Sequence, residues 1–505
     1  MKKSQVKIGA ILSYVLIILN ALYGLIIAPF IIRHLGSSNY GVYKTITALT
    51  SSLIVIDLGL GGTIQRFTAK FIAEKEETRI PNFVAMGLLI AFLLCVTLSI
   101  ISGGIYFLLD FIYGNTFSEN QLVLAKGVFI VSAITVLVHV IENVFYGLIA
   151  GFNRFIFGNG IKVLLLISRI IAIVVFLSFY NDALGLVVVI LVVNSIFLII
   201  NICYVVFRLK VRVKLEKWEP ILFFEAGKFT ILLFLTSLVT QITANLDNVV
   251  IGAIKGAEYV TVYSVGLLIF GMFSQLSCGI SGVMLPTVTN VLKEDKNNQK
   301  IIDLIVKVGR IQFLLLGAAI AGFAIIGKDF VNQWMGDGFD DVYVITLILI
   351  IPAIFELCIN VCLSILQAKN KLGFRTIALS ISALVNAIIT VILVKYWSYI
   401  GAAIGTAFSY IACSLIAMNI YYSKKLNLPM LHIYKNIVSR IWVCLLLSSL
   451  ALVISSRFLN GDWLSIVINI LVFCFIYSIS LLLFGLKKEE KKAIPIIRKM
   501  YKDDE

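Results

Sequence analysis

Long apolar runs alternate with short basic connections along almost the whole chain. A helix rises about 1.5 Å per residue, so about 20 apolar residues cross the hydrocarbon core of a bilayer. By that measure the pattern predicts fourteen spans, near 9–32, 42–64, 82–109, 123–149, 161–180, 184–207, 229–253, 261–285, 309–327, 342–366, 376–395, 400–422, 438–456 and 464–485. The first apolar run follows a basic start, as in a signal peptide, but it is too long for an h-region and lacks a small-residue cleavage site. It reads as the first span.

The basic residues test this layout. With the N-terminus inside, the cytoplasmic segments are 1–8, 65–81, 150–162, 208–228, 286–310, 367–375, 423–440 and 486–505, and they hold 34 of the 42 Lys and Arg. One span more or fewer would scramble the asymmetry, so positive charge predicts both the count and cytoplasmic termini. The segment 208–228 divides the chain, giving an N-terminal lobe at 1–214, a C-terminal lobe at 215–425, and two further spans with a basic tail at 426–505.

A repeat agrees with that division. Leu35-Gly36-Ser37-Ser38-Asn39-Tyr40-Gly41-Val42-Tyr43 joins spans one and two, and Lys255-Gly256-Ala257-Glu258-Tyr259-Val260-Thr261-Val262-Tyr263 joins spans seven and eight at a constant offset of 220. Gly36/Gly256, Val42/Val262 and Tyr43/Tyr263 coincide. Six spans per unit relate the repeats by an axis along the membrane normal, a plan that places the substrate path where the repeats meet.

Composition changes only the class. Of 505 residues 60% are hydrophobic and 14% charged, and the mean hydropathy is +1.02. Soluble proteins carry about 25% charged residues, so the fold class is an all-α polytopic membrane protein. The net charge of +15 sits in the short connections, where it serves topology and lipid headgroups rather than nucleic acid. All eight cysteines lie in apolar segments without a metal-ligand pattern. Enzyme motifs and a phosphate-binding P-loop are missing from the sequence.

Candidate chemistry lies inside the spans, where ionisable groups are costly and mark functional sites. Span seven holds Gln241, Asn245, Asn248 and Gly252 on one helical stripe, with Thr240, Thr243 and Asp247 beside it. Asp247 is either an ion site or the partner of Lys255. Asp57 of span two is a cation or proton site, or the partner of a basic group. His139, Glu142, Asn143 and Tyr146 share a face of span four that suits coupling to Na⁺ or H⁺, with a packing role for His139 as the alternative. Arg169 of span five can meet a phosphate bidentately or neutralise Asp57 or Glu142. Span ten offers Glu356, Asn360 and Gln367, with Pro352 as a break, and span one offers Asn20, Gly24 and Pro29.

Asp57-Leu58-Gly59-Leu60, Asn245-Leu246-Asp247-Asn248-Val249-Val250-Ile251-Gly252, Val262-Tyr263 and Leu285-Pro286 give the chain a likeness to a known family. It resembles the bacterial polysaccharide-biosynthesis flippases of the multidrug/oligosaccharidyl-lipid/polysaccharide exporter superfamily. The resemblance implies two six-helix lobes around a cavity, plus two C-terminal helices, in the bacterial plasma membrane. It implies an undecaprenyl-diphosphate-linked oligosaccharide as substrate, no cofactor, and Na⁺ or H⁺ as a transported coupling ion. The expected partners are that lipid-linked substrate, membrane lipids, and the polysaccharide polymerase and chain-length machinery. In that setting Arg169, Gln241, Asn245, Asn248, Asn20 and Asn360 are the candidate substrate contacts. Asp57, His139, Glu142, Asp247 and Glu356 are the candidate coupling charges. Arg66 and Arg310 either hold phosphate or act as topology signals. A cation-coupled multidrug exporter of the same superfamily is the alternative, and Arg169 argues against it. A membrane polymerase or glycosyltransferase would need a longer loop, and an envelope scaffold would not need polar faces on several spans.

Overall fold

Apolar runs become helices throughout the computed structural model, which describes residues 3–53, 59–211, 213–217, 239–241, 243–281, 284–294, 298–369, 371–459, 461–487 and 490. The first half comprises α1 (Lys3–Leu53), α2 (Leu60–Ala73), α3 (Ile80–Tyr113), α4 (Glu119–Gly151), α5 (Phe155–Phe179), α6 (Ala183–Cys203) and α7 (243–255). Then come α8 (Ala257–Ser281), α9 (Leu285–Glu294), α10 (Gln299–Met335), α11 (Asp340–Cys358), α12 (Val361–Ala368) and α13 (Gly373–Ser409). The series closes with α14 (Met418–Leu426), α15 (Met430–Val438), α16 (Ile441–Ser456) and α17 (Trp463–Ser480). No strand occurs among the described residues.

Side-chain caps open α4, α6 and α17. Ser118 accepts from the Gln121 backbone while the Gln121 side chain accepts from the Ser118 N–H, a capping box that opens α4. Asp182 caps α6 through the Leu184 and Gly185 amides, and Asp462 caps α17 through Ser465.

Among the described residues ten helices are long and apolar enough to cross a bilayer, or up to eleven if the bent pair Met430–Val438 and Ile441–Ser456 forms one span. Two apolar runs, Ile11–Leu53 with 43 residues and Gly373–Leu426 with 54, far exceed the ~30 Å core at about 1.5 Å per residue. Each contains one residue off helical geometry, Gly36 (φ 77°, ψ 159°) and Ser398 (φ 54°, ψ −138°). At Ser398 the chain doubles back: a Cβ on Gly401 would lie 2.4 Å from the Leu393 carbonyl, and one on Gly405 would lie 2.7 Å from Thr390 Oγ1.

Three local expectations change. Span two is not one helix to residue 64, because Gly59 adopts a left-handed φ of 65° and α2 begins anew behind it. Span ten breaks at Ile359–Asn360 between α11 and α12, seven residues beyond Pro352, which stays inside α11. In α1 the non-helical residue is Gly36 rather than Pro29.

The described chain divides into two compact units, Met1–Val265 with Leu379–Gly405, and Gly266–Ala378 with Thr406–Glu505. In the first, Phe67, Phe71, Phe83, Val140 and Leu148 join α2, α3 and α4 around one apolar core. A second core sets Val42 and Ile46 of α1 against Tyr113, Phe129 and Ala257. In the other unit Ile305, Ile365, Met418 and Ile433 knit α10, α12, α14 and α15 together. Cys444, Leu452, Ile466 and Phe473 pack α16 and α17, with Ile326 of α10.

Candidate functional site

Helical spacing delivers Asp247, Glu142, Arg169 and Glu356 to separate polar clusters, each within one unit. In the first unit Asp247 of α7 is 2% exposed. Its carboxylate accepts hydrogen bonds from the Tyr263 hydroxyl and, at 3.3 Å, from Thr390 Oγ1 of α13. The same Thr390 hydroxyl stands 3.1 Å from Asn386 Oδ1, so one hydroxyl proton faces two acceptor oxygens. The cluster thus sets a buried carboxylate among hydroxyl and amide groups drawn from three helices. Tyr263, Asn386 and Thr390 are fully buried.

The polar stripe of α7 divides along its length. Asn248 is buried and accepts from Ser264 of α8 at 3.3 Å. Gly252 abuts Thr45 of α1, and its carbonyl accepts from Thr116 at 3.0 Å. Asn245 turns its amide back to the Gln241 carbonyl at 2.9 Å, leaving Gln241 and Asn245 half-buried. The N-terminal half of the stripe therefore keeps exposed surface while the C-terminal half packs on protein.

On α4, His139 Nδ1 lies 3.3 Å from Glu142 Oε2, and Asn201 of α6 donates to Glu142 Oε1 at 3.4 Å. Farther along the same face Tyr146 reaches Asn159 of α5, which also bonds the Gly9 carbonyl and Ser13 of α1, and the Lys162 ammonium sits 3.5 Å from the Tyr146 ring centroid.

Arg169 is not the partner of Glu142. Its Nη2 donates to Asn194 Oδ1 of α6 at 2.7 Å. Among the described residues no carboxylate pairs with it, and both Arg169 Nε and Asn194 Nδ2 are buried donors without an acceptor. Two unspent donors beside a positive charge favour an anion with several oxygens, the description of a phosphate.

In the second unit Glu356, near the end of α11, pairs with Arg375 at 3.3 Å and accepts from Ser414 Oγ at 2.6 Å. Ser414 lies in the wider π-helical stretch Tyr410–Ala417, and such bulges recur where a helix must present a side chain. Asn360, at the α11–α12 break, donates to the Cys278 sulfur at 3.7 Å and lines a small cavity with Glu356 and Arg375.

Asn20 is exposed and bonds its own Leu16 carbonyl at 2.8 Å, apart from every cluster. Asp57 lies outside the described residues. Arg66 is exposed on α2. Arg310, read as a phosphate ligand or a topology signal, is neither of these alone: at 1% exposure it is a structural clamp. It binds Glu490 through Nε and Nη2 at 2.6 and 3.0 Å, and it caps the carbonyls of Asn436, Ser439 and Gly485. Sequence reasoning missed Tyr263, Asn386, Thr390, Asn194, Asn201, Arg375 and Ser414. Tyr263 was visible only as a repeat and family position, while Asn386 with Thr390, four apart, and Asn194 with Asn201, seven apart, are polar residues at helical spacing in apolar runs.

This architecture matches solved transporters. Over 94% of this chain and 97% of its own, the lipid II flippase MurJ in an inward closed conformation superposes with a TM-score of 0.72 at 16% identity. An inward-facing multidrug resistance MATE family transporter of the MOP superfamily gives 0.66 at 14% identity, over 84% of this chain and 99% of its own. The fold is that of a MOP-type transporter. Residues 6–292 match the family described as polysaccharide biosynthesis protein, and the chain belongs to that family. A curated relative from Salmonella typhi, described as "Putative O-antigen transporter", is 21% identical over 416 residues, 79% of this chain and 92% of its own. The protein is a multi-pass transporter of the bacterial inner membrane.

Proposed function

We propose that the protein is a flippase that moves undecaprenyl-diphosphate-linked oligosaccharide units from the cytoplasmic to the outer leaflet, for export of a cell-surface polysaccharide. The sugar-diphosphate head cannot cross hydrocarbon unaided, whereas the prenyl tail stays in lipid. The observation that supports this reading is Arg169, a guanidinium bonded to an amide and, among the described residues, to no carboxylate, with an unused donor on itself and another on Asn194. A drug-exporting site for organic cations has no use for that arrangement. The relative described as an O-antigen transporter and the lipid II flippase fold support the same substrate class.

In this reading Asp247, buried, and Glu142, half-buried, are the coupling carboxylates. Asp247, with Thr390 and Asn386, supplies oxygens for Na⁺ or a site for H⁺, and Glu142 with His139 supplies a second titratable pair. Fourteen crossings with both termini in the cytoplasm complete the reading through the charge asymmetry. Transport then proceeds by alternating access. Binding of undecaprenyl diphosphate against undecaprenol to purified protein tests the diphosphate contact. The wild type should prefer the diphosphate by at least about tenfold, and Arg169→Ala should erase the preference. Equal binding of both lipids by the wild type would contradict the reading.

A further inference from the structure

The second unit carries a cavity of about 610 Å³, apart from the charge clusters, lined by Phe355 of α11, Leu415, Ile416 and Ile420 along the α14 side, and Met430 and Leu431 of α15. Ligand sites span about 300–1,000 Å³, and this open groove, with Ile416, Ile420 and Leu431 each more than half exposed, has a volume in that range. Its walls are mostly apolar, but one end is polar. Tyr434 and Asn419 bond each other at 3.2–3.3 Å, and Ser423 and Lys424 complete that end. Lys424 is exposed, and no ion pair with it occurs among the described residues.

The surroundings specify the charge of the occupant. Lys424, Lys425, Lys435 and Arg440 fall within residues 423–440, and no Asp or Glu occurs between Glu356 and Asp462. Among the described residues the carboxylates near this segment are already held, Glu356 by Arg375 and Ser414, and Glu490 by Arg310. The helix beside the pocket is interfacial in design. Met430, Ile433 and Ile437 of α15 are buried, while His432 and Lys435 face outward and Leu431 is 89% exposed. It meets α16 at a bend of 43°, with Arg440 in a left-handed conformation (φ 66°) at the joint. A short amphipathic helix with one exposed leucine and basic neighbours has the composition of a segment that meets lipid headgroups. The charge pattern places this segment on the cytoplasmic face, where anionic lipids concentrate.

We propose that this pocket is a structural binding site for an anionic glycerophospholipid of the cytoplasmic leaflet. One acyl chain fills the apolar cavity, and the phosphate meets Lys424 with Ser423, Asn419 and Tyr434 beside the glycerol. The site is independent of the transport substrate and wedges α15 against α11 and α14.

Native mass spectrometry of the full-length protein, titrated with phosphatidylglycerol, phosphatidylcholine or undecaprenyl phosphate, tests the proposal. The wild type should retain phosphatidylglycerol at least about tenfold better than phosphatidylcholine. Lys424→Glu and the cavity-filling Ile416→Trp should each abolish that preference. Lys425→Glu, which makes the same charge change beside the pocket without lining it, should leave most of it. Equal losses in Lys424→Glu and Lys425→Glu would reduce the site to a diffuse basic field and overturn it. Displacement of phosphatidylglycerol by undecaprenyl phosphate at equal or lower concentration would make the pocket a substrate-docking surface and overturn it as well.

Discussion

Thr261 of α8 donates its hydroxyl to the Ser37 carbonyl of α1 at 2.5 Å. Its counterpart lies beside it: Gly41 of α1 presses on Ala257 of α8, so close that a Cβ on Gly41 would stand 1.9 Å from the Ala257 carbonyl. Adding 220 to 37 and 41 gives 257 and 261, so the two contacts exchange under the sequence repeat. Gly36 and Gly256, the paired repeat glycines, both take positive φ, 77° and 101°, which explains why glycine stands at both turns. The internal repeat is thus a physical two-fold contact between its own turns.

That contact makes Gly41 intolerant. Gly41→Ala should lower stability by about 1–3 kcal/mol, and Gly41→Val by more, because the obstacle is backbone and cannot rotate away. Thermal unfolding of the purified variants checks the order.

Asp247 should be needed for coupling. Asp247→Asn should fold and reach the membrane but lose the dependence of transport on a Na⁺ or H⁺ gradient. Tyr263→Phe removes a donor from a buried carboxylate and should cost about 1.5–3 kcal/mol of stability. Transport stimulated equally by the gradient in the wild type and Asp247→Asn would exclude this carboxylate from coupling.

Arg169 separates charge from geometry. Arg169→Ala should reduce transport by about tenfold or more, and Arg169→Lys, which keeps the charge but loses the planar fork, should recover only part of it. Initial transport rates normalised to membrane-inserted protein give the comparison. A merely structural arginine would show parallel losses of transport and thermal stability.

The Arg310 clamp yields a pH dependence. Burial raises the Glu490 carboxyl, but the hydrogen bonds and charge of Arg310 outweigh it and hold the group below its ordinary value. A lowered folded-state pKa contributes stability that is present above the unfolded value, about 4.3, and is lost as pH falls through the folded one. Thermal stability of the wild type should therefore drop more steeply below about pH 4 than that of Glu490→Gln. Arg310→Ala strands Glu490 and three capped carbonyls and should cost about 3–5 kcal/mol at neutral pH.

The helices were legible because bilayer thickness sets their length and apolar composition sets their position. The breaks were less so. Gly36 and Gly256 were visible as a repeat, but the left-handed Ser398 and Arg440 follow from tertiary packing that no local preference announces. Asp247 was readable as a charge in an apolar run, yet its partners come from α8 and from residue 390, which no spacing rule brings to residue 247. Arg310 misled for a related reason. It sits among topology-determining charges in the sequence, and only the fold returns residues 436–439, 485 and 490 to it.

The central claim rests on one measurement: translocation of undecaprenyl-diphosphate-linked oligosaccharide in proteoliposomes, read by a sugar-specific probe outside the vesicle, with and without an ion gradient. The account predicts movement by the wild type that the gradient accelerates, and little movement by Arg169→Ala in equally reconstituted vesicles. Folded wild-type protein that moves none of the candidate lipid-linked oligosaccharides, yet exports cationic drugs down the same gradient, would contradict it.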